Sequence, residues 1–221
     1  MLESQLFHGL PEAELRRMVA VARRRTFRRN EVVFHRGDPA DSLHLVNKGR
    51  FAARMTTPVG DTVTVAVHGP GDAFGELALV EPEAIRSTTV AALEAGETYA
   101  VHRDDFDRLR GQYPGVNDVL VRLLARRLRR ASEQLVEALF VPADRRVLRR
   151  LLELAELYGG GDRPVVPLTQ EELASLAGTS RASVNRVLRA EAARGAVELR
   201  RGRTIVLDAA GLARRAGPAA H

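Results

Sequence analysis

Between Pro114-Gly115 and Pro142 the chain reads VNDVLVRLLARRLRRASEQLVEALFV, with no proline or glycine inside it. Strong helix formers dominate this stretch, so the sequence predicts one continuous helix from Val116 to Leu139. At ~1.5 Å rise per residue, roughly 24 residues span about 36 Å. Its apolar or small positions include Val121, Leu124, Leu128, Ala131, Leu135 and Ala138. The steps between them are 3, 4, 3, 4 and 3, an a/d seam rather than a broad amphipathic stripe. A helix this long, with a narrow seam flanked by arginines, is expected to pair with a second copy of itself. The competing expectation is a helix packed on its own domain.

A chain of 221 residues is long enough for two modest domains with real cores. No apolar run reaches the roughly 18 residues of a membrane span. The start, MLESQLFHGLPEAEL, lacks a basic region followed by an apolar core, so a cytoplasmic protein is expected. Cysteine is absent, which excludes disulfides, thiol catalysis and an iron–sulfur cluster held by cysteines. The histidines His8, His35, His44, His68, His102 and His221 show no metal-ligand spacing, so no metal is expected. There is no Walker loop and no Ser/His/Asp arrangement, and an enzyme is not expected. Charge is unevenly spread. Residues 142–221 hold 14 arginines against 9 acidic residues, net +5, whereas residues 1–141 are nearly balanced at net +1. The C-terminal third is therefore where a polyanion would bind.

Ahead of the long helix, Pro11 to Ala22 reads as a short helix with Leu15, Met18, Val19 and Ala22 on one face. From Arg25 to Val101, short β-rich runs alternate with turn signals at Gly37-Asp38-Pro39, Lys48-Gly49, Gly60-Asp61 and Pro70-Gly71-Asp72. That spacing predicts a β-barrel or sandwich. Asp104 to Gln112 reads as a helix capped by Asp104-Asp105. Beyond the long helix, Pro142 disfavours helical geometry at Val141 and suits the start of a new helix, so a hinge is expected there. The next helix, Ala143 to Tyr158, turns Val147, Leu148, Leu151, Leu154 and Ala155 inward and ends at Gly159-Gly160-Gly161. The tail from Gly211 is expected to fray. The domains expected are 1–113, a linking helix and hinge over 114–141, and 142–221.

QEELASLAGTSRASVNRVLR, Gln170 to Arg189, carries the most specific pattern. Ala174 is small where two helices cross, Gly178 sits in the turn where a positive φ is needed, and Val184 packs the second helix back on the first. Leu173, Ala177 and Val187 fill the remaining buried positions, giving helix-turn-helix spacing. Thr169 is the expected N-cap of the first helix with Glu172 as capping-box partner, and Ser180 caps the second. Arg181, Ser183 and Arg186 lie towards the N-terminal end of the second helix, where an arginine can donate two hydrogen bonds to guanine O6 and N7. A hairpin follows, Val197-Glu198-Leu199 and Thr204 to Leu207, with Arg200, Arg201 and Arg203 at its tip suited to phosphates.

A second motif is Gly71-Asp72-Ala73-Phe74-Gly75-Glu76-Leu77-Ala78, followed by Arg86-Ser87-Thr88. Gly75 allows backbone amides close to an anion, Arg86 offers a planar fork for a phosphate, and Glu76 can accept from a ribose hydroxyl. The alternative is a β-turn with an internal Glu76–Arg86 salt bridge.

Barrel, long helix, hinge and winged helix-turn-helix, in that order from about Leu6 to Leu207, resemble the Crp/Fnr regulators of the cyclic AMP receptor protein type. The resemblance implies an α+β chain. Its parts would be a cyclic-nucleotide-binding β-barrel (a double-stranded β-helix or jelly roll), a long dimerisation helix, and a C-terminal winged helix-turn-helix. It implies that Gly75, Glu76, Leu77, Arg86 and Ser87 hold a cyclic nucleotide, with Glu76 on the ribose hydroxyl. Arg127 would stand near the ligand, and Ser132 would reach the base in the partner subunit. Cyclic AMP is the implied nucleotide, and the implied partners are a two-fold symmetric DNA operator, a second subunit and RNA polymerase. Two positions depart from the family pattern. Ala131 stands where a polar residue is expected and cannot hydrogen-bond a base. Ala182 stands where cyclic AMP-type members carry a glutamate in Arg-Glu-x-x-x-Arg, so reading at the neighbouring base is expected to relax. The expected function is a homodimeric transcription regulator gated by a cyclic nucleotide. The alternatives are a regulator needing no ligand or a different one, and a small-molecule-binding module whose C-terminal domain docks a protein.

Overall fold

The alternating apolar runs after residue 22 become the strands of two sheets. A computed structural model describes residues 12–57, 60–81 and 83–217. The expected helix start at Pro11, the segment before it with Leu6, and the last four residues of the tail lie outside them. The chain packs as two compact units, Met1–Arg129 and Arg130–His221. The first unit opens with α1 (Glu12–Val21), whose Leu15 and Met18 are buried as its periodicity predicts. Eight strands follow, β1 (Arg23–Phe27), β2 (Val32–Phe34), β3 (Ser42–Lys48), β4 (Phe51–Thr56), β5 (Thr62–His68), β6 (Ala73–Phe74), β7 (Thr89–Ala92) and β8 (Gly96–His102). They form two four-stranded antiparallel sheets, ordered β1-β8-β3-β6 and β2-β7-β4-β5. Between β6 and β7 lies the short helix α2 (Leu77–Val80).

The sheets are joined by their inward side chains. Phe27, Val46 and Phe74 from one sheet meet Phe51, Ala53, Val90 and Ala92 from the other. Phe74 sits among the rings of Phe34, His44, Phe51 and His68, with centroids 5.1–5.8 Å away. Aromatic packing of this kind adds about 0.5–1.5 kcal/mol per pair beyond area burial. A second core lies on the outer face of the first sheet, where Leu43, Leu45 and Val101 meet α1, α3 (Arg103–Gln112) and the start of α4 (Val116–Phe140). The cap of α3 differs from expectation: His102 accepts from the Asp104 amide at 3.3 Å, while Asp104 and Asp105 occupy the first turn. The imidazole takes this place because it precedes the first helical residue, where a cap must sit.

His44 is buried inside this unit, stacked on Phe74 and bonded through Nδ1 to Thr98 Oγ1 at 3.0 Å. Burial first, then the Arg86 and Arg25 charges, push its pKa down from 6.5 to about 3. The unfolded imidazole therefore takes up a proton that the folded one refuses. Stability is full above about pH 6.5 and falls by about 1.4 kcal/mol for each unit below it, towards the folded value. Urea unfolding at pH 7 and pH 5 is expected to show wild type losing about 2 kcal/mol more than His44→Gln over that interval. Equal losses in the two proteins would dismiss the histidine as the cause.

The long helix is continuous over 25 residues. Its first turns behave as a core helix: Val116, Val119 and Leu120 are buried, and Leu124 packs against the same cluster. Leu124, expected on the pairing seam, thus faces its own unit instead. The outward face carries Val121, Leu128 and Leu135, at 62%, 70% and 61% exposure.

In the second unit α5 (Ala143–Leu157), β9 (Val165–Val166), α6 (Gln170–Ala177), α7 (Arg181–Ala193), β10 (Val197–Arg200), β11 (Arg203–Val206) and α8 (Ala209–Ala216) follow one another. Val147, Leu148, Leu151, Leu154 and Ala155 of α5 are buried as expected. The hairpin gains a third strand, β9, along β11. The tail does not fray from Gly211. Instead α8 is capped by Asp208, whose side chain accepts from the Gly211 amide at 2.7 Å, and Leu212 and Ala216 are buried.

Candidate ligand pocket and DNA-reading surface

β6 delivers the chain into Gly75, which has φ +82°. A Cβ there would lie 2.6 Å from Arg86 Nη1 and 2.9 Å from the Ser42 carbonyl oxygen. Only glycine admits both the backbone angle and the approaching guanidinium. Arg86 is 5% exposed. Backbone bonds to Asp38 and Gly37 anchor it. Its Nη1 donates to the Ser42 carbonyl at 2.8 Å, and its Nη2 donates to Asp41 Oδ1 and Ser42 Oγ at 3.1 Å each. The guanidinium lies 4.1 Å over the Phe34 ring, and Nε, also buried, has no hydrogen-bond partner among the described residues. Burial pushes the arginine below its ordinary pKa, and Asp41 and Asp38 oppose that. A guanidinium remains charged regardless. The result is a buried cation whose one carboxylate partner, Asp41, is itself largely exposed and whose Nε–H is unused, an arrangement that favours a further acceptor beside it.

Glu76 is buried, and its Oε1 accepts from Arg127 Nη1 at 2.7 Å while Arg127 Nη2 donates to the Ala73 carbonyl at 3.1 Å. The alternative of an internal Glu76–Arg86 bridge is thus replaced by two separate pairs, Glu76 with Arg127 and Arg86 with Asp41. Each of the two side chains meets a partner supplied by another part of the chain. Leu77 is partly buried at the start of α2, Ser87 is exposed on the bend after Arg86, and Ala131 and Ser132 are exposed on α4. Arg86, Glu76, Gly75 and Arg127 are thus brought together. Asp41, Ser42 and Phe34, which complete the setting of Arg86, lie more than forty residues away in sequence and leave no local signal.

In the second unit the turn between α6 and α7 is built as its residues require. The Thr169 hydroxyl accepts from the Glu172 amide at 3.2 Å, and the Glu172 carboxylate accepts from the Thr169 amide at 2.8 Å, forming both halves of a capping box. Gly178 closes α6 at φ +59°. Ser180 caps α7 by accepting from the Ser183 amide, and the two hydroxyls are 3.1 Å apart. Thr169, Ser180 and Ser183 are therefore engaged in caps. Arg181 and Arg186 are exposed on α7, and Arg200, Arg201 and Arg203 are exposed on the hairpin tip. Arg200 donates to Glu198 at 2.6 Å. Arg186 is held by Asp144 of α5 through Nη1 at 3.0 Å and Nη2 at 2.6 Å. That hydrogen bonding, then the Asp144 charge, raises the arginine pKa.

Sequence reasoning missed three organising arginines and one glutamate here. Arg146 donates from Nε to the Ala177 carbonyl and from Nη2 to the Gly178 carbonyl, both at 2.9 Å, and from Nη1 to Val141 at 2.6 Å. It therefore satisfies carbonyls at the C-terminal ends of both α4 and α6, groups that a helix leaves unpaired. Glu137, buried near the end of α4, accepts from Arg149 at 2.8 Å and from Arg150. Only the odd presence of Arg150 within an apolar face hinted at it.

Residues 24–113 match the cyclic nucleotide-binding domain family, and residues 145–215 match the Crp-like helix-turn-helix domain family. The chain is 39% identical over 210 residues to the cyclic AMP receptor protein of Thermus thermophilus, covering 95% of each chain. It is 32% identical over 215 residues to a CRP-like cAMP-activated global transcriptional regulator of Mycobacterium tuberculosis, covering 96% of each. A solved CRP-family transcriptional regulator, also from Thermus thermophilus, superposes with a TM-score of 0.75 at 30% identity, over 88% of this chain and 97% of that one. Both halves of the chain, the nucleotide-binding type of barrel and the helix-turn-helix, place it in the CRP family of transcription regulators.

Proposed function

We propose that the protein is a homodimeric, sequence-specific transcription regulator whose DNA binding is controlled by a cyclic nucleotide, with cyclic AMP as the ligand. The observation that carries this is Arg86, a buried guanidinium with an unpartnered Nε beside the backbone of Gly75. A cyclic phosphate supplies an acceptor for that unused N–H and a second anion beside Asp41, and the Gly75 to Leu77 backbone and Ser87 add donors. Glu76 accepts from the ribose 2′-hydroxyl, and Arg127, already on Glu76, holds that carboxylate in place. The relatives named for cyclic AMP support the choice of nucleotide. Residues 1–113 act as the sensor, 114–141 as the dimerisation helix, and 142–221 as the DNA-binding domain. Arg181 and Arg186 read bases, while Arg200, Arg201 and Arg203, with the capped starts of α6 and α7 at Thr169 and Ser180, engage phosphates. Ser132 contacts the base of a nucleotide bound to the partner subunit. Such a regulator works in the cytoplasm and acts through RNA polymerase.

The test is calorimetric titration of wild type and Arg86→Ala with cyclic AMP and cyclic GMP. Heat is expected from wild type with cyclic AMP and none from the variant, because the buried phosphate loses its charge partner. Silence of wild type towards both nucleotides would return the chain to the ligand-independent reading, which Ala131 favours because it offers the base no hydrogen bond.

A further inference from the structure

α7 carries the arginines suited to base reading, but it supplies Arg186 with no anion of its own. Ala182, one turn earlier on the same face, has no polar group. The anion comes from another helix. Asp144, in the first turn of α5, takes Arg186 end-on, Oδ2 from Nη1 at 3.0 Å and Oδ1 from Nη2 at 2.6 Å. Both side chains are about half exposed or more, at 65% and 49%, so the pair adds little to stability. What it does is restrict orientation. A guanidinium has five N–H donors in a rigid plane. With the Nη1/Nη2 edge occupied, the Nε–H and the outer Nη2 hydrogen remain as a second parallel pair. That pair matches the spacing of guanine O6 and N7.

We propose that Asp144 is a positioning residue for sequence reading: it holds Arg186 by one edge so that the other faces a guanine in the major groove. An unbuttressed arginine must lose the freedom of a long side chain on meeting the base, and it can donate equally to phosphates or to other acceptors. Buttressing makes the guanine contact more selective, at the expense of a carboxylate placed near DNA. Asp144 therefore raises discrimination while lowering general affinity for nucleic acid. The proposal rests on the reading of α7 as the base-contacting helix.

The test takes the whole chain with cyclic AMP present, at one fixed salt concentration. An operator is first selected from random DNA with wild type. Affinities are then measured for that operator, for a set with each guanine of the half-site replaced by adenine, and for unrelated DNA, using wild type, Asp144→Ala, Arg186→Ala and the double variant. Arg186→Ala identifies its own base as the position where discrimination collapses. At that position Asp144→Ala is expected to lower the guanine-over-adenine preference about five- to tenfold, part of what a good bidentate contact provides. Binding to unrelated DNA is expected to rise about two- to threefold as one anion is removed. In the Arg186→Ala background the same change should leave discrimination as it is. A merely structural role for Asp144 would weaken binding to every sequence alike. A mere repulsive charge would strengthen binding to every sequence alike. Either result, with the guanine preference intact, overturns the proposal. Failure of the underlying reading looks different: wild type then selects no sequence, or Arg186→Ala alters no position, before Asp144 is touched, and the proposal falls with it.

Discussion

A chain carrying Leu128→Glu and Leu135→Glu is expected to sediment as a monomer and to lose at least about 100-fold in operator affinity, since the second half-site contact is no longer intramolecular. The two leucines are 70% and 61% exposed on α4, one heptad apart, with Val121 a further heptad earlier at 62%. A folded chain does not leave such a row of large aliphatic side chains in water without a partner for it. Burying each against a second copy is worth about 1.5–3 kcal/mol, so four leucines across a two-fold seam supply about 6–12 kcal/mol. Glutamates at the same places add like charges facing each other. Because both leucines are largely exposed, the thermal unfolding of the N-terminal unit should stay nearly unchanged. A variant that remains dimeric in the ultracentrifuge at micromolar concentration would show that another surface pairs the subunits.

How much of this was legible in the sequence depends on the range over which each signal acts. The length of α4, the capping box of Thr169 and Glu172, the left-handed Gly178 and the hairpin after α7 all depend on residues within a few positions of each other. These are interactions that a pattern of residue types can report. The seam of α4 was legible in its period but not in its direction. A period states which residues share a face, not what the face meets. Leu124 belongs to the seam by spacing and to the N-terminal core by contact. The C-terminal helix was missed because the Ala/Arg-rich stretch from Gly211 reads as a fraying end of the chain. In the structure, a Cβ at Gly211 would collide with Asp208 Oδ2, so the missing side chain is what lets the aspartate cap the helix.

The site shows the same division. Gly75, Glu76 and Arg86 were identified because the turn and its arginine lie within a dozen residues of each other. Their partners were not. Asp41, Ser42 and Phe34 reach Arg86 only because β2 and β3 bring residues from the first third of the chain beside it. Pairing Glu76 with Arg86 from sequence alone assumed that neighbours in the chain are neighbours in space. Arg127 takes the glutamate instead, from 51 residues away. This arrangement gives α4 a polar contact with the loop that would hold the phosphate, in addition to its apolar contact with the sheet. A ligand that accepts or donates at Glu76 therefore acts on a residue already tied to α4. Such differential contact is what any shift of population between states requires.

Removing Glu137 is expected to be among the costliest single changes in the DNA-binding half. Its side chain is 11% exposed and lies between Arg149 and Arg150, which are 11% and 10% exposed. Arg150 also pairs with Glu153, while its Nε has no hydrogen-bond partner among the described residues. Glu137→Ala leaves two guanidiniums buried with one shared anion gone, a loss of about 3–5 kcal/mol. Glu137→Gln retains an acceptor of the same shape and should lose less, whereas replacing Glu137, Arg149 and Arg150 together by Met or Leu should be near neutral, because the desolvation of all three charges is then avoided. Hydrogen exchange on the full-length chain gives the readout, since amides of α5 report opening of this unit without requiring the N-terminal unit to unfold with it. Protection in α5 is expected to fall by roughly two to three and a half orders of magnitude in Glu137→Ala, a conversion of the same about 3–5 kcal/mol at roughly 1.4 kcal/mol per decade. A decrease of less than tenfold would mean that solvent reaches the arginines readily, and that the apolar face of Val147, Leu148, Leu151 and Leu154 alone holds α5 in place.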